Sequence, residues 1–185
     1  MAIKESLRPG GRSARVQTSV HQAVKDLLGE VERSELTIPA VAARAGVTPS
    51  TIYRRWGTLQ DLLADVAVER LRPDGEPADT GSARGDLDAW LEQFVDEMAS
   101  APGRAMTRDV LACTAGAAPQ CSAFTRRQIE TIAARAAARG EPAVDIDAVM
   151  DHVVAPIVYR IMFDESPPGD AYRRALLDRV RPAGR

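Results

Sequence analysis

Residues Thr37 to Leu63 read TIPAVAARAGVTPSTIYRRWGTLQDLL, and their start and stop residues alone divide the stretch into three short helices. The Thr37 hydroxyl can cap a helix whose first turn holds Pro39, where no intrahelical donor is required. That helix runs to about Ala45, and Gly46 supplies the left-handed conformation that ends it. Val47 then turns inward, and Thr48-Pro49 reads as an N-cap followed by proline at the first helical position. The second helix covers Pro49 to Trp56 and stops at Gly57. Thr58, with Asp61 three residues later, resembles a capping box for a third helix carrying Leu59, Leu62, Leu63, Val66 and Ala67.

Two helices joined by a four-residue turn around Gly46-Val47 fit the helix-turn-helix plan. In the second of them Ile52 and Trp56 are four apart and face a small core, leaving Ser50, Thr51, Tyr53, Arg54 and Arg55 on or beside the exposed side. That set suits DNA. Arginine forks onto guanine edges or grips phosphate, hydroxyls bond to bases or backbone, and the carbon of Thr or Pro packs on a thymine methyl.

Upstream, Val16, Val20, Val24, Leu27, Leu28 and Val31 fall on one face of a helix expected over about 15–32. Residues 1–14, MAIKESLRPGGRSA, show no helical period and contain Pro9, Gly10 and Gly11, so a flexible basic arm is expected there. Downstream, residues 15–71 form the expected helix-turn-helix domain, 72–86 a Pro/Gly-rich linker, and 87–185 a second helical domain. Its helices are read from Leu87 to Met98, ended by Pro102-Gly103; from Met106 to Leu111; from Pro119 to Arg139; from Ile146 to Phe163, kinked at Pro156; and from Asp170 to Val180. No stretch alternates with strand period. The expected fold is all-α: an N-terminal three-helix DNA-binding domain plus a C-terminal helical bundle domain.

Charge is segregated along the 185 residues. The net charge is -2, yet residues 1–56 carry nine Lys and Arg against five Asp and Glu, whereas residues 57–185 carry fifteen against twenty-one. A basic front on an acidic body is the pattern expected when only one end meets phosphate. No apolar run approaches the roughly 18–20 residues of a membrane span, and the N-terminus lacks the apolar stretch of a signal peptide, so a cytoplasmic protein with no membrane partner is expected. Cys113 and Cys121 have no partner Cys or His pair at metal-ligand spacing, and read as small residues with a redox role as the alternative. With two histidines, no nucleophile elbow and no phosphate loop, no set of residues shares a reaction. No enzyme, cofactor or metal is expected.

The Thr37–Leu63 stretch resembles the DNA-binding segment of TetR-family regulators, in which an alanine-rich helix leads through a Gly-Val turn to a Thr-hydrophobe-Tyr recognition helix and an aromatic. The resemblance extends over residues 16–70. It implies backbone contacts from Thr37, Thr51, Tyr53 and Arg55, and base-edge contacts from Pro49, Ser50, Thr51 and Arg54; Thr48 and Arg44 complete the candidate set. One departure stands out. The family's lysine after the cap of the fourth helix is missing, since Leu59-Gln60 follows Thr58, and Arg8, Arg12 and Arg15 are the candidates to compensate.

Residues 155–180, APIVYRIMFDESPPGDAYRRALLDRV, look like the last two helices of one TetR subgroup, which pair with their copies in a dimer. The resemblance thus implies a homodimer on palindromic double-stranded operator DNA, with Val153, Ile157, Ile161, Tyr172 and Leu176 as interface candidates, although periodicity fits an internal core equally. A small-molecule ligand is implied too. The large or adaptable side chains that could line its cavity are Trp90, Phe94, Met98 and Met106, with Phe124, Met150 and Tyr159; His152 beside Asp151 is a weaker candidate. The expected function is a repressor released when ligand favours a dimer with wrongly spaced recognition helices, the signal passing through Leu59 to Leu71. An activator or architectural binder on the same scaffold, or a helical ligand carrier that no longer binds DNA, are the alternatives.

Overall fold

The computed structural model describes residues 11–113 and 116–180, which are helical with no strand among them. They form two compact units, divided between Val66 and Ala67. The first contains α1 (Arg12–Glu30), a single 3-10 turn (Arg33–Glu35), α2 (Ile38–Ala45), α3 (Pro49–Trp56) and the start of α4 (Leu59–Arg70). Val20, Val24, Val41, Ile52 and Leu62 are closed off from solvent at its centre, removing from water the apolar stripes that the sequence spacing places on these helices.

The punctuation of this unit follows its residues. The Thr37 hydroxyl accepts the Ala40 N–H at 3.3 Å, and Thr58 accepts the Asp61 N–H at 3.0 Å while donating to the Asp61 carboxylate at 2.6 Å. Gly46 ends α2 at φ +68°, a left-handed conformation that costs any L-residue with a Cβ about 1–2 kcal/mol. Thr48 is the N-cap of α3 and Pro49 its first residue, as expected; the cap acts through the backbone, the Thr51 N–H bonding the Thr48 carbonyl, while the Thr48 hydroxyl lies 2.9 Å from that of Ser50 and 3.0 Å from that of Thr51. One expectation needs correction: the first helix begins at Arg12, with Gly11 as its N-cap, three residues before its expected start. Its opening turn lies ahead of the first buried apolar residue, so hydrophobic periodicity carries no trace of it. The remainder of the expected arm, with Arg8, lies outside the described residues.

The second unit contains the end of α4, α5 (Ala83–Ala99), α6 (Ala101–Ala112), α7 (Ala117–Ala138), α8 (Ile146–Val149), a π turn (Met150–Val154), α9 (Ala155–Phe163) and α10 (Asp170–Leu177). Leu91, Ile129, Ile132, Val149, Ile157 and Ile161 lie at its centre. Pro102-Gly103 does not end a helix here; it opens α6, whose N-cap Ser100 accepts the Gly103 N–H at 3.0 Å. Only glycine fits, because a Cβ at 103 would lie 2.1 Å from the Glu97 carbonyl oxygen. Pro156 is accommodated by the wider π turn in front of it, where the Ala155 N–H reaches back to the Met150 carbonyl.

The stretch between α4 and α5 is laced along α7. Gln128 donates to the Gly75 carbonyl at 3.0 Å, Arg135 to the Pro77 carbonyl at 2.6 Å, and Arg139 to Asp79 and to the buried Asp86, both at 3.0 Å. Residues 83–86 belong to α5, capped by Ser82. Their lack of large apolar side chains is why they read as linker in the sequence.

Candidate DNA-binding face and ligand cavity

The recognition helix is α3. Ile52 is fully buried, so the helix is fixed by that side chain while Pro49, Ser50, Tyr53 and Arg54 stay exposed, Tyr53 to 52%. Arg54 makes no ion pair among the described residues, leaving all its donors for phosphate or base edges. Thr37 is exposed at the start of α2, and Thr51 is half-buried beside Thr48.

Two arginines from the expected set are engaged within the protein. Arg44 forms a two-pronged pair with Glu30, Nη1 to Oε1 at 2.9 Å and Nη2 to Oε2 at 2.6 Å, so α2 is pinned to α1 and the cation arrives already neutralised. Arg55 donates to the Ser13 carbonyl and hydroxyl at 2.9 Å each and to Gln17 Oε1 at 2.5 Å, with its guanidinium 5.1 Å from the Trp56 ring centroid. Both links are invisible in sequence, since 14 and about 40 residues separate the partners.

Behind α3 lies a polar knot that the sequence reading missed. Asp65 Oδ2 accepts from His21 Nε2 at 2.9 Å, Trp56 Nε1 at 2.8 Å and Gln17 Nε2 at 3.2 Å, joining α1, α3 and α4 through one oxygen. The His21 bond, opposed by partial burial and aided by the Trp56 bond, holds the Asp65 carboxyl below its ordinary value. A histidine four residues before Lys25 and an aspartate inside a leucine-rich helix give no local signal of this contact.

The second unit encloses a cavity of about 390 Å³. Trp90 and Phe94 stack on one side of it, ring centroids 5.4 Å apart and planes 29° from parallel, and Met98, Phe124 and Met150 also line it. Met106 and Tyr159 do not. On α6 the cavity is faced by Thr107, Val110 and Leu111, and Met106 lies about 90° round the helix from their mean direction. On α9 Ile157 and Ile161 point inward, so Tyr159 between them is thrown out to 62% exposure. Cys121 lines the cavity, and burial pushes its thiol up, away from the reactive thiolate; Cys113 is half-buried. His152 faces solvent. Among the described residues, no cluster of three His, Cys, Asp or Glu is placed to hold a metal, and no helix is long and apolar enough to cross a membrane.

Four of the five dimer candidates are core instead. Val153, Ile157, Ile161 and Leu176 are buried within the unit itself, so their stripe is used up by intrachain packing. Tyr172 is half-buried under Arg160, 3.9 Å from its ring centroid. What α9 presents to solvent is a different pair: Tyr159 and Phe163, 62% and 74% exposed, with ring centroids 4.8 Å apart.

A buried-core trihelix with one exposed polar helix, followed by a helical unit around a cavity, is the architecture of a helix-turn-helix regulator. Residues 23–66 match the family described as bacterial regulatory proteins, tetR family, and residues 77–180 match tetracyclin repressor-like, C-terminal domain. The chain belongs to the TetR family of DNA-binding transcriptional regulators. It is 28% identical over 164 residues to an uncharacterised HTH-type transcriptional regulator of Mycobacterium tuberculosis, spanning 83% of this chain and 80% of that one. The crystal structure of the TetR-family regulator SCO0332 superposes with a TM-score of 0.67 at 28% identity, over 91% of this chain and all of that one. RolR, solved in complex with resorcinol, shares the fold at a TM-score of 0.68 and 14% identity, over 92% of this chain and 90% of its own.

Proposed function

We propose that this chain is a homodimeric cytoplasmic repressor that leaves a palindromic operator when a small molecule fills the cavity of its second unit. The observation that carries the reading is the split character of α3, with Ile52 sealed into the core and Ser50, Tyr53 and Arg54 held out beside it. Pro49, Ser50, Thr51 and Arg54 meet base edges in the major groove, and Thr37 and Tyr53 meet phosphate. Arg44 and Arg55 act by bracing α2 and α3 against α1, and Arg55 adds charge close to the backbone.

A second copy docks on the exposed face of α9 through Tyr159 and Phe163, and a two-fold dimer sets its recognition helices about 34–36 Å apart to enter successive major grooves. The chain passes from one unit to the other inside α4, and the cavity wall begins at the last residue of that helix, Arg70. This continuity supports α4 as the route by which an occupant alters the spacing. RolR, which shares the fold, was solved in complex with the ligand resorcinol, and this supports the reading of the cavity as a ligand site.

The test is a gel shift and footprint on the DNA upstream of the chain's own gene. A protected palindrome that disappears with Arg54→Ala supports the reading; no protection even at low salt overturns it.

A further inference from the structure

The cavity wall divides into an apolar depth and a charged mouth. Trp90, Phe94, Met98, Val110, Met150 and Val154 supply the depth: a stacked aromatic shelf facing polarisable thioethers and branched aliphatics. Every charged residue of the lining, Arg70, Arg72, Asp74, Glu76 and Glu97, is solvent-exposed. An ion carried past that mouth would meet no counter-charge and would lose its hydration uncompensated.

The side-chain oxygens of Thr107, Thr125 and Gln128 in the wall are biased in one direction. The Thr107 hydroxyl, on a buried residue, donates its proton to the Gly103 carbonyl at 2.9 Å, and the Thr125 hydroxyl donates to the Cys121 carbonyl at 3.4 Å. A hydroxyl has one proton, so each of these oxygens has only acceptor capacity left for an occupant. Gln128 gives an amide N–H to the Gly75 carbonyl at 3.0 Å, which fixes its nitrogen toward the Gly75–Pro77 stretch and leaves its carbonyl oxygen uncommitted. Thr107 lies on α6, and Thr125 and Gln128 lie on α7, which packs against it.

We infer that the ligand of this site is a flat, uncharged aromatic molecule that carries a hydrogen-bond donor, a phenolic hydroxyl or a ring N–H, delivered to the oxygens of Thr107 and Thr125. This rests on the reading of the cavity as the ligand site. The ring system lies against the Trp90–Phe94 shelf, and the donor satisfies acceptors that an aliphatic or donor-free guest would leave dry and unpaired.

Three probes of one shape separate the terms: 2-naphthol, its donor-capped analogue 2-methoxynaphthalene, and the anion 2-naphthoate, each titrated calorimetrically into the full-length protein. The expected order is 2-naphthol at least tenfold tighter than 2-methoxynaphthalene, with 2-naphthoate weakest. Thr107→Val with Thr125→Val should bring the first ratio close to one while 2-methoxynaphthalene binding holds, and Thr107→Ser with Thr125→Ser should restore the ratio. Equal affinity of the two neutral probes for the natural protein, or tightest binding of 2-naphthoate, overturns the donor inference while leaving the cavity reading standing. If no probe binds, or if Phe94→Ala leaves all three affinities unchanged, the cavity is not the site and both readings fall together.

Discussion

His21, 2% exposed in the middle of α1, places Nε2 2.9 Å from Oδ2 of Asp65 on α4, and the same oxygen receives the indole N–H of Trp56 from the end of the recognition helix. The C-terminal end of α3, already held by the buried Ile52, is therefore also braced by a carboxylate that is not on it. Asp65→Ala removes the carboxylate that the His21 and Trp56 ring N–H groups share, at a cost of about 1–3 kcal/mol. Thermal melting of the first unit should fall accordingly, and operator affinity should fall with it because α3 loses that brace. A melting point within a degree of the natural protein would show that the knot does not brace the helix.

Acid should weaken both units from the same cause. The His21 bond and, after it, the Trp56 bond hold Asp65 low, while for Asp86 burial pushes the carboxyl up and bonds from the Thr80 amide and hydroxyl and from Arg139 more than reverse it. Each carboxyl is depressed relative to the unfolded chain, so its stabilisation is fully present above the ordinary carboxylate range and is lost as pH falls through the folded-state value. The melting temperature should hold steady from neutral pH to about 5 and drop below about pH 4. The double variant Asp65→Asn, Asp86→Asn should melt lower at neutral pH and show a shallower acid decline; an unchanged acid limb would assign the decline to other groups.

The three arginines near the DNA face should separate by readout. Arg54→Ala, with no internal partner to lose, should weaken operator binding at least tenfold and relax the base preference at the position it reads, with melting unchanged. Arg55→Ala should lower both affinity and melting temperature, since it releases Ser13 and Gln17. Arg44→Ala should leave the salt slope alone, because Glu30 already neutralises that charge. Gel shifts over a salt series, paired with calorimetric melts, distinguish these outcomes.

Self-association should respond to the outer face of α9 alone. Tyr159→Glu with Phe163→Glu should give a folded monomer in sedimentation, whereas Ile157→Glu, a charge placed in the core, should unfold the second unit. A dimer that survives the double change puts the partner elsewhere.

The helices of the first unit were legible because caps and stops act locally: Thr37, Gly46, Gly57 and the Thr58–Asp61 pair each do within four residues what their chemistry requires. Contacts between distant elements were not. Asp65 meets His21 across 44 residues and Arg55 meets Ser13 across 42, and nothing in the spacing of either pair marks it. In the second unit, periodicity found the apolar stripe of Val153, Ile157 and Ile161 but could not say whether its partner was the same chain or a second copy. The buried stripe proved intrachain, and the outward pair lay two residues out of phase. Pro102-Gly103 was ambiguous for a related reason: proline both follows helices and opens them, and only the close approach of Gly103 to the Glu97 carbonyl decides.

The π turn ahead of Pro156 bears on more than the missing amide. Side chains four apart on an ordinary helix drift by about 40° per step, so a stripe at 149, 153, 157 and 161 would swing well round the cylinder over three steps. Spreading Met150–Val154 over a wider turn takes up part of that drift, keeping Val149, Val153, Ile157 and Ile161 in the core while Met150, Val154 and Val158 line the cavity. The phase of the helix thus works like a vernier between core and cavity. Replacing Pro156 to let the turn tighten would rotate Met150 relative to Val158, changing the shape offered to a ligand without altering a single residue that touches it.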